Sequence, residues 1–336
     1  MKDIIVAVVG AGYWGPNLIR NFGKINNARV AAVCDTDKKR LAPIKKSYPG
    51  IRTTDDFSTI LKDETITFVV IATPLQTHFA LAKQVLLSGK HVMVEKPLTR
   101  TSSEAKELIK LAERKKLQIF CGHTYVYHAA IQKMKQLLTK GVLGKTYYYE
   151  SMRANLGLIQ NDANVLWDLA PHDFSILRFL FPSKPVAVRV VANRYVHKSQ
   201  EEVAHVFLRF SNGMMAHMYL SWLSPLKIRT VMIAGAKKML LFDQQDPVET
   251  LRIYDKGVSI TGSKHQAYRS RYRYGDIVVP TIEESEALSN ELEHFISCIL
   301  KKKKPLTGGR EGLEVVKMLE AAEKSYRTGR EIPITL

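Results

Sequence analysis

At 336 residues, with 46% hydrophobic and 24% charged positions and no low-complexity tract, the chain has the composition of an ordinary globular protein and the length for two domains. No apolar run approaches the roughly 20 residues that span a bilayer, and the first residues lack a leader's basic region, apolar core and small-residue cleavage site, so a cytoplasmic location without membrane insertion is expected. The net charge of +18 suits an anionic partner, but the basic residues are spread along the chain and the densest run, residues 301–304, reads as a solvated helix end, so a phosphate-bearing substrate is favoured and no nucleic-acid partner is expected.

An apolar run, residues 4–9, reads as a strand that enters the turn Gly10-Ala11-Gly12-Tyr13-Trp14-Gly15, after which the pattern becomes helical. A second apolar run, residues 30–34, ends in Asp35, twenty residues after Gly15. Strand, G-x-G-x-x-G turn, helix, strand and acid in this order form a dinucleotide-binding unit. Gly10 allows the tight turn, Gly12 lets backbone N–H groups approach a pyrophosphate, and Gly15 lets the helix pack close to the sheet with its positive end toward the phosphates. A carboxylate at Asp35 accepts hydrogen bonds from the adenosine ribose and repels a 2′-phosphate, so NAD is the expected cofactor, although Lys38, Lys39 and Arg40 pull toward NADP.

Residues 38–48 then read as a helix, 51–53 as a short strand and 56–61 as a helical turn. The β-branched run 66–73 has the pattern of a parallel strand covered on both faces. It leads through Thr73-Pro74 to a helix over 77–87, a strand over 90–94, the segment Glu95-Lys96-Pro97, a helix over 102–116 and a strand over 117–121. This alternation gives one parallel sheet with helices on both faces. Beyond it the periodicity changes: a helix over 129–138, a strand over 146–155, a helix beginning near Pro171, and strands over 185–196, 203–210, 214–222, 228–234, 239–242 and 251–255. Ser211-Asn212-Gly213 and Ala236-Lys237-Lys238 fit hairpin connections. Residues 268–274, Tyr-Arg-Ser-Arg-Tyr-Arg-Tyr, read as a mobile basic and aromatic loop, and helices over 285–300 and 312–328 finish the chain. The fold class is therefore α/β: an N-terminal Rossmann domain (1–122) and a C-terminal α+β domain (123–336) for substrate binding and oligomerisation, with a large, mostly antiparallel open sheet. The terminal helices can pack back on the first domain.

Ligands of doubly wound sheets lie outside the carboxyl ends of the strands, which gathers Thr73, Pro74, His78, Glu95, Lys96, His123 and Tyr125 at one edge. A lysine there can hydrogen-bond a substrate hydroxyl and favour its developing oxyanion, and a cis peptide before Pro97 would aim Lys96 into the cleft; an exposed turn lysine is the alternative. In Trp167-Asp168-Leu169-Ala170-Pro171-His172-Asp173, Asp168 and His172 are four apart and share a face if the segment is helical, whereas a helix starting at Pro171 leaves their alignment open. Histidine suits proton abstraction from an alcohol near neutral pH, and a carboxylate can orient it or hold a substrate hydroxyl. The alternative is a helix start capped by Asp168 or Asp173. Cys34, Cys121 and Cys298 form no C-x-x-C and are expected as buried thiols, and no metal-ligand spacing is present, so no metal is expected.

The glycine turn, Glu95-Lys96-Pro97 and the Asp168-x-x-x-His172 spacing together resemble the Gfo/Idh/MocA oxidoreductase family over essentially the whole chain. The resemblance implies that Lys96, Asp168 and His172 are the catalytic positions, with His172 the acid/base, and that NAD contacts Gly10, Gly12, Tyr13, Trp14, Gly15, Asp35, Thr73, Pro74, His78, Glu95 and Lys96. A narrower likeness to the nucleotide-sugar branch rests on Gly12-Tyr13-Trp14-Gly15-Pro16-Asn17-Leu18, Gly122-His123-Thr124, Asn155-Leu156-Gly157 and residues 166–173. It implies oxidation of the C3 hydroxyl of UDP-N-acetylglucosamine to a 3-keto sugar nucleotide. The product would pass to an aminotransferase in diamino-sugar synthesis for lipid A or surface polysaccharide. Tyr125, Arg153, Asn155, Asp168 and His172 would contact the substrate, and a homo-dimer or homo-tetramer is expected. An inositol or free-sugar dehydrogenase, an NAD-dependent glycosidase and a non-catalytic NAD-binding regulator stay open as alternatives.

Overall fold

The computed structural model describes residues 3–157, 159, 163–261 and 269–336. The chain divides into two compact units: residues 1–128 with 285–320, and residues 129–284 with 321–336. Residues 285–320 thus group with the first unit, and the chain's last helix is divided between the two.

In the first unit, strands β1 (Ile4–Val9), β2 (Ala28–Cys34), β3 (Arg52–Thr54), β4 (Phe68–Ile71), β5 (His91–Glu95) and β6 (Ile119–Gly122) form one sheet in the order β3-β2-β1-β4-β5-β6. Every pairing in it is parallel. The strand order reverses between β1 and β4, so a crevice lies outside their carboxyl ends. Helices α1 (Gly15–Phe22), α2 (Lys38–Ser47), α3 (Phe57–Lys62), α4 (Leu75–Leu87) and α5 (Ser102–Lys115) connect the strands. Val6, Val8, Val69, Val70, Val92 and Val94 are wholly buried, because a parallel sheet covered on both faces hides every side chain of its central strands. Helix α4 begins two residues earlier than the sequence suggests, directly after Pro74, whose fixed φ suits a helix entrance. A 3₁₀ turn (Thr124–Tyr127) follows β6.

In the second unit, α6 (Ala129–Thr139) precedes β7 (Thr146–Leu156), α7 (Val165–Leu180), β8 (Pro185–Asn193), β9 (Val203–Phe210), β10 (Met215–Ser221), β11 (Leu223–Gly235), β12 (Met239–Asp243), β13 (Leu251–Thr261) and β14 (Arg269–Val278). Helix α8 (Ala287–Lys301) belongs to the first unit, α9 (Gly309–Thr328) is divided between the units at Glu320, and β15 (Ile332–Pro333) returns to the second. The nine strands run β14-β13-β12-β11-β7-β10-β9-β8-β15, antiparallel except where β7 and β10 lie parallel. Strand β9 alternates strictly, with Ala204, Val206, Leu208 and Phe210 buried, because one face of the sheet packs on helices.

Two readings of the sequence need correction here. The segment read as a mobile loop is strand β14, paired from Arg269 onward with an extended β13; Tyr268 lies outside the described residues. Tyr272 and Tyr274 are exposed, so this ribbon shows none of the burial alternation that would mark it in a sequence. The helix placed near Pro171 starts at Val165 instead. Asn164 caps it by accepting the Trp167 N–H at 3.1 Å, and the turn ahead of the proline buries Val165, Leu166, Leu169 and Ala170. That packing offsets the roughly 3 kcal/mol that an interior proline costs.

Candidate active site

The glycine turn leaves β1 at the strand reversal. Gly10 has φ +100°, and a side chain on it would meet the Ala72 carbonyl oxygen at 2.3 Å; one on Gly15 would meet the Gly10 carbonyl oxygen at the same distance. Backbone packing therefore requires both glycines. At Gly12 the nearest atom to such a side chain is the Arg40 guanidinium at 3.6 Å, so the space before this residue is open, as close approach of a phosphate requires. Helix α1 has no side-chain cap; Pro16 carries no N–H and the Asn17 N–H turns back to the Trp14 carbonyl at 3.1 Å, so the positive end of the helix faces the turn with no side-chain acceptor on it. Asp35, 7% exposed, accepts the Ala11 N–H on Oδ2 at 2.7 Å and the Asp37 N–H on Oδ1 at 2.8 Å, tying the turn to the end of β2. Arg40 lies 3.8 Å from the same carboxylate. Tyr13 is 83% exposed, and its ring stacks on Trp14. These features fit a dinucleotide.

After β4, the hydroxyls of Thr73 and Thr77 lie 2.6 Å apart. The buried His78 ring sits with Nδ1 2.9 Å from the Pro97 carbonyl and Nε2 2.9 Å from the Thr73 carbonyl. It therefore links the loops after β4 and β5; one nitrogen donates in the neutral ring and both do in the imidazolium. The Lys96–Pro97 peptide is cis. Glu95 receives the Lys96 N–H at 3.3 Å, and its carboxylate rests against Gly122, where a side chain would come within 2.9 Å of Oε2. Burial pushes the Glu95 carboxyl up to about 7, against the opposing pull of the Lys96 charge. Tyr125 is half-buried in the turn after β6. One further acid in this unit escaped the sequence reading: Glu291 of α8, wholly buried, accepts the Thr124 hydroxyl at 2.6 Å. Its only signal in the sequence is an acid on the apolar face that Leu288, Leu292 and Phe295 define.

In the second unit, Asp168 and His172 lie one turn apart on α7. Twelve of that helix's residues are buried, and these two fall outside that set as part of a narrow half-exposed stripe. A helix apolar on nearly every face belongs to a core, and polar groups kept on its one open stripe are candidates for chemistry. Trp222 donates its indole N–H to Asp168 Oδ2 at 3.1 Å. Behind His172, Asp173 is wholly buried and accepts from Arg153 Nε at 2.7 Å and from the Tyr149 hydroxyl at 2.8 Å. At 2% exposure and paired with Asp173, Arg153 supports α7 from β7. Asn155 accepts from Arg229 of β11, whose other terminal nitrogen donates to the Ala154 and Ile228 carbonyls at 2.9 and 2.8 Å. Trp222, Asp173, Tyr149 and Arg229 carried no local motif that marks them as supports.

Among the described residues no group of three or more His, Cys, Asp or Glu side chains could hold a metal, and no helix is long and apolar enough to cross a membrane. Cys34, Cys121 and Cys298 are buried free thiols.

A UDP-N-acetylglucosamine 3-dehydrogenase of Acidithiobacillus ferrooxidans is 27% identical over 94% of this chain and 95% of its own. A D-apiose dehydrogenase of Paraburkholderia graminis is 23% identical over 98% of this chain and 89% of its own. The solved structure of the UDP-N-acetylglucosamine 3-dehydrogenase GnnA from Acidithiobacillus ferrooxidans superposes with a TM-score of 0.81 at 25% identity, covering 98% of this chain and 99% of that one. Residues 4–123 match the oxidoreductase family with an NAD-binding Rossmann fold, and residues 135–336 match the C-terminal alpha/beta domain of the same family. The first of these matches is an NAD-binding domain, and the chain belongs to the Gfo/Idh/MocA family of NAD-binding oxidoreductases.

Proposed function

We propose that the protein is an NAD-dependent dehydrogenase of a sugar nucleotide that oxidises the C3 hydroxyl of a UDP-hexosamine, UDP-N-acetylglucosamine in the first instance. The observation that carries the chemistry is the Asp168–His172 pair on the open stripe of an otherwise buried helix. In this reading His172 takes the hydroxyl proton, and the Lys96 ammonium holds the oxygen as it becomes a carbonyl. Asp168, fixed by Trp222, receives a sugar hydroxyl or supports His172. The balance is alcohol plus NAD⁺ to ketone, NADH and one proton. The choice of a nucleotide sugar is supported by the relative that acts on one, matched along nearly its whole length. The basic balance of the chain suits a diphosphate-bearing substrate. Arg153 and Asn155 shape the substrate end through Asp173 and Arg229. The product would pass to an aminotransferase in the cytoplasm.

Self-association belongs to the same proposal. The uncovered face of the second sheet carries the exposed Val191, Phe207 and Met215, with the rings of His205, His217 and Tyr219 stacked among them. A homo-dimer or homo-tetramer would cover such a face.

The test is NADH formation by purified protein with UDP-N-acetylglucosamine and other UDP-hexosamines, with an aminotransferase present to remove a 3-keto product. A 3-amino sugar nucleotide is expected. If no UDP-hexosamine yields a 3-keto or 3-amino product, the substrate assignment fails. The D-apiose dehydrogenase relative supports a second reading, oxidation of a free sugar, and NADH formation with free pentoses or cyclitols but not with sugar nucleotides would select it.

A further inference from the structure

Two buried carboxyl groups face the end of β6 from opposite elements. Glu95 comes from the end of β5 and lies against Gly122, and Glu291 comes from α8 and holds the Thr124 hydroxyl. Gly122, His123 and Thr124 run between them. Glu95 Oε1 and Glu291 Oε1 are both buried without a partner at full hydrogen-bond geometry; the Trp14 indole of the glycine turn lies by Glu95, the Thr124 hydroxyl and the His123 backbone lie by Glu291, and each favours the ionised acid against its burial. Keeping both carboxylates ionised in this buried strand end is expensive, whereas a proton held by either one lowers the cost. Burial raises both groups, and the Glu95 charge raises Glu291 further, so the pair stays partly protonated at neutral pH.

The other titratable groups around the pair do not cancel it. Lys96 follows Glu95 in the chain, Cys121 and His123 flank Gly122, Tyr127 ends the 3₁₀ turn, and Glu311 comes from α9. The Cys121 thiol and the Tyr127 phenol are both held well above their usual range, chiefly by burial, and stay neutral. The Lys96 charge opposes the effect of burial on Glu95 without overcoming it.

The pair stands at the carboxyl edge of β5 and β6, in the unit where the glycine turn binds NAD. The charge of the nicotinamide ring changes during the reaction, being positive in NAD⁺ and neutral in NADH. We propose that Glu95 and Glu291 act as one proton-holding pair beside the nicotinamide, more fully ionised when the ring is oxidised and taking up a proton from solvent when the ring is reduced. Hydride and proton then balance locally: the ring loses its positive charge and the pair loses a negative one. Glu291 acts through Glu95 and is a positioning residue, which couples cofactor preference to pH.

The inference rests on the NAD-binding reading and goes beyond it. The experiment is calorimetric titration of the full chain with NAD⁺ and with NADH, without substrate, between pH 6 and 8 in two buffers of different ionisation enthalpy. Binding of NADH should take up more protons than binding of NAD⁺. The ratio of the two dissociation constants should shift by up to about tenfold per pH unit near the midpoint, in favour of NADH as pH falls. Glu95→Gln should flatten that dependence. Glu291→Gln, which keeps a neutral group at Thr124, should move the midpoint to lower pH, because Glu95 no longer competes with a second acid. A purely packing role would change both affinities alike and leave the midpoint in place, which would overturn the proposal. Equal proton uptake for the two cofactors in the unmodified chain would also overturn it while leaving NAD binding intact. Failure of both cofactors to bind would instead remove the reading beneath it.

Discussion

Replacing Asp173 by alanine isolates the support behind His172. Asp173 is wholly buried, the Arg153 side chain is 3% exposed, and the two are joined at 2.7 Å. The Tyr149 hydroxyl donates to the other carboxyl oxygen at 2.8 Å. Burial and the Asp173 charge hold the Tyr149 phenol well above its usual range, so it remains a neutral donor. Removing the carboxylate breaks a buried ion pair, a change that costs about 3–5 kcal/mol. It also strands a hydroxyl donor, worth about 1–3 kcal/mol, in a way that is coupled to the first loss rather than additive. The expected destabilisation is therefore about 4–6 kcal/mol, a large share of the roughly 5–15 kcal/mol that holds a domain folded. Urea unfolding followed by tryptophan fluorescence reads it directly, since Trp167 lies on the same helix and Trp222 bonds to it. Tyr149→Phe, which removes only the neutral donor, should cost about 1 kcal/mol. A loss below about 1 kcal/mol in Asp173→Ala would mean that water reaches Arg153 and that the pair does not anchor α7 to β7.

Other perturbations separate chemistry from support. His172→Ala and Lys96→Ala should each lower kcat by about 10²–10⁴-fold while NAD affinity, measured by fluorescence titration, stays within a few-fold; unchanged turnover in His172→Ala would reject its role as base. Trp222→Phe removes the indole donor from Asp168 and should lower kcat/KM by about tenfold or more, as expected for a hydrogen bond to a charged group worth about 1.5–3 kcal/mol; an unaltered kcat/KM would show that Asp168 needs no such anchor. Glu286 is held down to about 2 by hydrogen bonds from Arg20, Asn21 and Lys24, so its contribution to stability is complete above its ordinary carboxyl range and is lost as pH falls through the folded value. Glu286→Gln should therefore cost about 1 kcal/mol at pH 7 and only a small fraction of that at pH 2, where the folded carboxyl is about half ionised, with equal penalties at both pH values counting against the linkage.

What the sequence discloses and what it hides follow one physical division. The glycine turn is legible because its requirements are local: a side chain at Gly10 would strike the neighbouring strand's end and one at Gly15 the turn's own backbone, so the residue types record the geometry. The parallel strands are legible because burial on both faces writes itself as unbroken apolar runs such as Phe68–Ile71. Helix α7 was misplaced because Pro171 is a local stop signal, and the packing of the turn before it, which overrides that signal, is not written locally. Strand β14 escaped because basic and aromatic residues that stay exposed give no periodic burial. The groups that hold the candidate chemistry in place are the least legible of all. Trp222 reaches Asp168 across 54 residues, and Glu291 reaches Thr124 across 167. A reacting side chain is often marked by its type and spacing, whereas the residue that fixes it is chosen by the fold. The supports should accordingly be the positions where closely related chemistries on this fold diverge in sequence: any donor that the fold delivers to Asp168 can stand in for Trp222, but nothing can stand in for the open space at Gly12.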